Sequence, residues 1–178
     1  MSARPYRHLV LPVAIIVAVV LADQWTKYVV EHRLRFNGPP VVVIPGFFHL
    51  VHVRNTGAAW GMLADSTMAL SALSALVFGA MAVWFGRFTG GLLERAIALA
   101  LIMGGIGGNL IDRLWRHGVV DFLSFFWRSF EWPAFNIADS AICVGVGVYL
   151  ISSFWRGDTT TTADTPPGSG AAPRLDGA

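Results

Sequence analysis

Two aspartates stand in apolar stretches with no basic neighbour: Asp121 in VVDFL, and Asp139 in FNIADSAICVGVGVYLIS, residues 135 to 152. A carboxylate in such surroundings needs a partner, a water-filled cavity or a raised pKa, which makes each a candidate for chemistry. Brought together in an apolar site, two carboxyls cannot both ionise cheaply, and repulsion with desolvation leaves them one shared proton. One can then act as general base on water while the other, protonated, polarises a peptide carbonyl. Competing schemes have less behind them. The sequence contains no GxSxG elbow and no HExxH zinc site. A Ser/Lys dyad would need Lys27, the only lysine, beside a serine such as Ser140, but Lys27 already has Asp23 one helical turn before it. His49 and His52 read as strand decoration, and Glu31 with His32 as an isolated pair at the start of a polar loop. Cys143, the only cysteine, allows neither an internal disulfide nor a cysteine-based metal site.

Those carboxylates must be positioned by elements suited to lipid. Hydrophobic residues make up 54% of the 178 and charged residues only 13%, outside the usual range of soluble domains. Four stretches are apolar enough for membrane-spanning helices: Leu9 to Val30, Met68 to Phe85, Ala96 to Ile111 and Phe135 to Phe154. The first follows Arg4 and Arg7 but continues through Asp23 to Val30 without a small-residue cleavage site, so it reads as a retained helix, not a cleaved leader. A formal net charge of +2 without a Lys/Arg stripe argues against nucleic acid.

An even number of spans puts both termini on one side, and Arg4 and Arg7 place that side in the cytoplasm. The full Lys/Arg count is less decisive, because Lys27, Arg33, Arg35, Arg54, Arg113, Arg116 and Arg128 fall at or beyond the outer ends. Between the first two spans, VVVIPGFFHLVHV predicts two short strands around a Pro-Gly break, and VVDFLSFF, residues 119 to 126, a further extended run. Asn55 is placed to cap a short apolar helix over residues 55 to 63, lying on the membrane surface. Gly104 and Gly108 have the spacing that lets membrane helices approach closely. Residues 1–156 read as one integral membrane domain and residues 157–178 as a disordered tail.

With up-and-down spans, the polar groups collect at one membrane face. Asp23 and Lys27 share a helical face there, as do Asn109, Asp112 and Arg113, and Asn136 with Asp139. Plainer roles compete with chemical ones: Asp23 with Lys27 as an anchoring ion pair, Asn109 and Arg113 as packing or headgroup contacts, Asp112 with Arg113 as a neutralised pair. Asp121 and Asp139 have no such local explanation.

The stretches DQWTK (23 to 27), RNTGAAWG (54 to 61), GGIGGNLIDR (104 to 113), VVDF (119 to 122) and FNIADS (135 to 140) together give a family resemblance. The chain resembles the bacterial lipoprotein signal peptidases, or signal peptidase II. That resemblance implies an all-α membrane protein of four transmembrane helices, with a small extracytoplasmic β-element and a surface helix. It implies catalytic roles for Asp121 and Asp139. Asp23, Lys27, Asn55, Gly105, Asn109, Arg113 and Asn136 fall on motif positions that support the site or bind substrate. Trp60 stands where the family usually has phenylalanine. The implied substrates are prolipoproteins cut just before a diacylglyceryl-modified cysteine, in the bacterial cytoplasmic (inner) membrane, at the periplasmic or outer face. No metal or cofactor is implied, and globomycin-like cyclic peptides are the expected inhibitors. Two rivals from other classes are a small proton-coupled transporter with an intramembrane Asp relay, and a scaffold associating through its glycine-rich span.

Overall fold

The structure is a computed structural model and describes residues 7–57, 66–128 and 130–157. Its elements run in the order α1 (Arg7–Arg33), β1 (Val41–Ile44), β2 (Phe48–Asn55), α2 (Thr67–Val83), α3 (Phe85–Thr89), α4 (Leu93–Trp115), β3 (Val119–Trp127), β4 (Phe130–Phe135) and α5 (Ile137–Gly157). The long apolar runs became helices because their backbone groups must be satisfied within the segment where no water reaches. Leu9–Arg33, Leu93–Trp115 and Ile137–Arg156 have the length and apolarity to cross a bilayer. The stretch expected as the second span divides: α2 has 17 residues and ends at Trp84, whose ψ of 17° leaves the helical range, and the short α3 follows. Taken alone, α2 falls short of the roughly 20 residues a span needs.

Apolar side chains such as Val17 and Leu21 of α1, Leu73 and Leu76 of α2, and Val144 and Phe154 of α5 point outward, as lipid contact requires. The inner helix is α4, against which α1, α2, α3 and α5 pack. Its glycines set the approach. A Cβ on Gly104 would lie 2.8 Å from that of Val19, and one on Gly108 2.6 Å from Asp23 Oδ2. One on Gly105 would overlap the Ala138 carbonyl of α5. The expected close approach through Gly104 and Gly108 is therefore present, directed at α1, and Gly105 does the same for α5.

The strands form one antiparallel sheet in the order β1-β2-β3-β4. β1 and β2 are joined by a turn in which Phe47 N–H donates to the Ile44 carbonyl (3.1 Å) and Gly46 takes a φ of +71°. That conformation explains Pro-Gly at this point. In β3 the first four residues, Val119 to Phe122, are all buried. Val120 and Phe122 form a small core with Val30 of α1, to which Leu34, Leu50, Leu123 and Ile137 add. The sheet is thus pinned over the ends of α1 and α5. β4 has no counterpart among the expected strands, and its final residue, Phe135, ends a strand instead of opening the fourth span. With four strands beside the helices, the all-α description is not confirmed: the chain is a membrane-protein fold of apolar helices plus a small antiparallel sheet. Most of the expected surface helix, with Trp60, and the tail beyond Gly157 lie outside the described residues.

Candidate active site

The C-terminal ends of α1 and α4, the N-terminus of α5 and the start of β3 meet in one polar cluster. Asn136 precedes α5 and closes a reciprocal cap. Its Oδ1 accepts from Asp139 N–H (3.0 Å), while Asp139 Oδ2 accepts from Asn136 N–H (3.2 Å). This is the capping-box arrangement written with Asn and Asp, and it fixes the Asp139 carboxyl at the helix mouth. Asp139 Oδ1 accepts from Asn109 Nδ2 of α4 (2.7 Å). Asn136 Nδ2 in turn donates to Asp121 Oδ1 (2.7 Å), and Asn55 Nδ2 donates to Asp121 Oδ2 (3.3 Å). Asn136 therefore holds both carboxyls.

Beneath them lies a dry ionic layer. Lys27 is fully buried and donates to Asp23 Oδ2 (2.8 Å), Asp112 Oδ2 (2.8 Å) and Asn109 Oδ1 (3.1 Å). Those contacts match its three N–H donors, so Lys27 is positioned as a cationic tie and not as a base for Ser140, whose hydroxyl donates to the Asn136 carbonyl (2.9 Å). Asp23 Oδ1 accepts from Ala138 N–H (3.0 Å), tying α1 to the first turn of α5. The expected anchoring pair of Asp23 and Lys27 is real but lies wholly buried.

Asp112 departs from the sequence reading. Its partners are Lys27, Arg116 Nη1 (2.8 Å), Gln24 Nε2 (2.9 Å) and Val120 N–H (3.1 Å), not the adjacent Arg113. Neighbouring side chains on a helix point apart, whereas residues four apart meet; the Asp112 to Arg116 spacing was the signal available. Glu31 is likewise no loop residue: α1 runs on to Arg33, and Glu31 accepts from Arg116 Nε (3.0 Å).

Asp121 and Asp139 line the same cavity, about 580 Å³ in volume, with Asn55, Asn109 and Arg113. Trp132, Pro133, Phe135 and Ile142 supply an apolar wall. Burial pushes the Asp121 carboxyl up to about 7, and the nearby Asp139 charge adds to that, against the hydrogen bonds from Asn136 and Asn55 and the charge of Lys27. Of the residues that the motifs marked for the site, Asp121, Asp139, Asn55, Asn109 and Arg113 line this cavity, Asn136 bridges the two aspartates, Asp23 and Lys27 lie in the ionic layer beneath, and Gly105 sits at the α4/α5 contact.

The chain matches the family described as Signal peptidase (SPase) II over residues 15–155. The chain belongs to the signal peptidase II family. The lipoprotein signal peptidase of Syntrophotalea carbinolica is 42% identical over 162 residues, covering 88% of this chain and 96% of that protein. That of Nitratidesulfovibrio vulgaris is 43% identical over 140 residues, covering 76% and 84%. A solved bacterial membrane enzyme, determined by the in meso method at 2.3 Å, superposes with a TM-score of 0.78 at 30% identity, covering 88% of this chain and 94% of that one. As a signal peptidase II, the chain falls among aspartic proteases acting on lipoprotein signal peptides. The transporter and scaffold readings gain no support: among the described residues this buried polar cluster sits at one end of the helices.

Proposed function

We propose that this signal peptidase II cleaves diacylglyceryl-modified prolipoproteins just before the lipidated cysteine, with Asp121 and Asp139 as a dyad sharing one proton. The observation that carries the reading is the pair of carboxyls in one cavity wall, both held by Asn136. Asp139, whose oxygens accept from Asn109 and the Asn136 backbone, is placed as the general base that takes a proton from water. Asp121, protonated by virtue of its burial, hydrogen-bonds the scissile carbonyl and protonates it as hydroxide adds. Asp139 then passes its proton to the leaving nitrogen while Asp121 recovers one from the tetrahedral carbon's hydroxyl. The C–N bond breaks, giving a carboxylic acid and the free amine of cysteine, with no covalent enzyme intermediate. Asp23, Lys27, Asn55, Gly105, Asn109, Arg113 and Asn136 hold this arrangement or face the substrate.

Four membrane spans fit the geometry once α2 and α3 are read together. Trp84 N–H still donates to Ala80 and Phe88 N–H to the Trp84 carbonyl, each at 3.0 Å. The helical path from Thr67 to Thr89 then covers about 33 Å at about 1.5 Å per residue, enough to cross. Residues 1–156 form one domain in the cytoplasmic (inner) membrane, with both termini inside and the cavity at the outer face. There a substrate keeps its acyl chains among membrane lipids while its peptide bond meets water. Globomycin-like cyclic peptides compete for the same cavity.

The decisive experiment offers purified protein two precursors, one diacylglyceryl-modified and one unmodified, and follows cleavage by gel shift. Only the modified precursor is expected to be cut; equal processing of both would remove the lipid from the reading. The pH profile is a second test. A raised Asp121 pKa means the proton is present below about 7 and lost above it. The kcat/KM of the free enzyme is therefore expected to fall on the alkaline side with a midpoint near that value, and a flat profile to pH 9 would contradict the assignment of the shared proton.

A further inference from the structure

A second cavity of about 530 Å³ lies between α2 and α4, lined by Thr56, Thr67, Met68, Ser71, Arg113, Leu114 and His117. Arg113 is the residue it shares with the cavity of the two aspartates. Its guanidinium is under-used. Nη1 makes one long contact, 3.5 Å, to the Asn109 carbonyl, and the buried Nε has no hydrogen-bond partner. A guanidinium carries five donors, and leaving a buried one unpaired costs free energy that a ligand oxygen would recover. Among the described residues the two linings differ in charge. Asp121 and Asp139 line the first cavity; hydroxyls, an imidazole and apolar groups line the second, and Arg113 is the cation common to both.

We propose that the crevice between α2 and α4 is the release site for the signal-peptide product, whose new C-terminal carboxylate binds the Arg113 guanidinium. The proposal rests on the peptidase reading, since hydrolysis leaves a carboxylic acid that gives its proton to the newly freed cysteine amine and becomes a carboxylate beside two carboxyl groups that already share one proton. A third negative charge there is repelled. The nearest relief is the far side of Arg113, where a carboxylate meets a planar cation suited to two parallel hydrogen bonds. Thr67 and Ser71 donate to backbone carbonyls, at 2.9 and 2.7 Å, so their hydroxyl oxygens remain as acceptors and do not compete for the carboxylate.

The test uses intact protein in detergent and synthetic peptides with the signal-peptide sequence, ending in a free carboxylate or in an amide. The carboxylate form is expected to inhibit cleavage about tenfold more strongly, as for one charge-assisted hydrogen bond. Arg113→Gln, followed by direct binding of the two peptides, is expected to erase the difference. Ser71→Phe, which fills the crevice without touching the aspartates, is expected to leave a single turnover unchanged while slowing repeated turnover. Equal binding of acid and amide to the unaltered protein, or a slowed first turnover in Ser71→Phe, would overturn the proposal. Absence of cleavage by the unaltered protein would instead count against the peptidase reading, whereas the binding comparison stands apart from it.

Discussion

Asp121→Asn and Asp139→Asn are each expected to lower cleavage of a lipid-modified precursor by about 10²- to 10⁴-fold, the range expected when a general acid or base is removed. The two substitutions should differ in stability, which separates chemistry from folding. At position 121 an amide oxygen still accepts the 2.7 Å hydrogen bond from Asn136, only the longer contact from Asn55 (3.3 Å) is given up, and an uncharged group replaces a carboxyl that burial already disfavours as an anion. Asp121→Asn should therefore unfold at the same temperature as the original protein or higher, above pH 7 especially. Asp139→Asn loses more. Its carboxylate accepts on both oxygens, and an amide offers only one acceptor, so either the Asn109 contact or the return half of the Asn136 cap is lost. A cost of about 1 kcal/mol is expected, the usual worth of a cap. Gel-shift cleavage and thermal unfolding in detergent read the two effects. A variant at either position that retains normal turnover would show the dyad to be misassigned.

Much of this site was legible because lipid makes polar residues conspicuous. In an apolar run a carboxylate is costly, so Asp23, Asp121 and Asp139 stood out, and up-and-down spans carried Asp23 and Asp139 to the same end. The β-branched and aromatic runs at 41–53 and 119–126 also formed strands where expected. What escaped was non-local or ambiguous. FEWPAF contains a proline, which argues against a strand, yet β4 is an edge strand of the sheet and tolerates it. Asp112 looked paired with Arg113 because they are adjacent, while its buried partner, Lys27, comes from α1 across the helix interface. The break at Trp84 has neither proline nor a helix-ending glycine at that position to announce it.

Lys27→Met is expected to be the most destabilising single change in this cluster, by about 3–5 kcal/mol, because it strands carboxylates that have been taken out of water. Lys27, Asp23 and Asp112 each have no solvent exposure. Without the ammonium, Asp112 keeps Arg116 as a cation at 2.8 Å, but Asp23 keeps only Gln24 Nε2 and the Ala138 N–H. The penalty should therefore fall mainly on Asp23, and adding Asp23→Asn to Lys27→Met should recover part of it, a non-additivity that a double-mutant cycle measures directly. Activity should suffer beyond stability, since Asn109 loses its contact with Lys27 and is the residue that orients Asp139. Thermal unfolding of the single and double variants, with cleavage measured well below each transition, distinguishes the two losses. If Lys27→Met unfolds within about 1 kcal/mol of the original protein, the worth of an exposed ion pair, the layer under the aspartates is not the dry ionic tie its geometry describes.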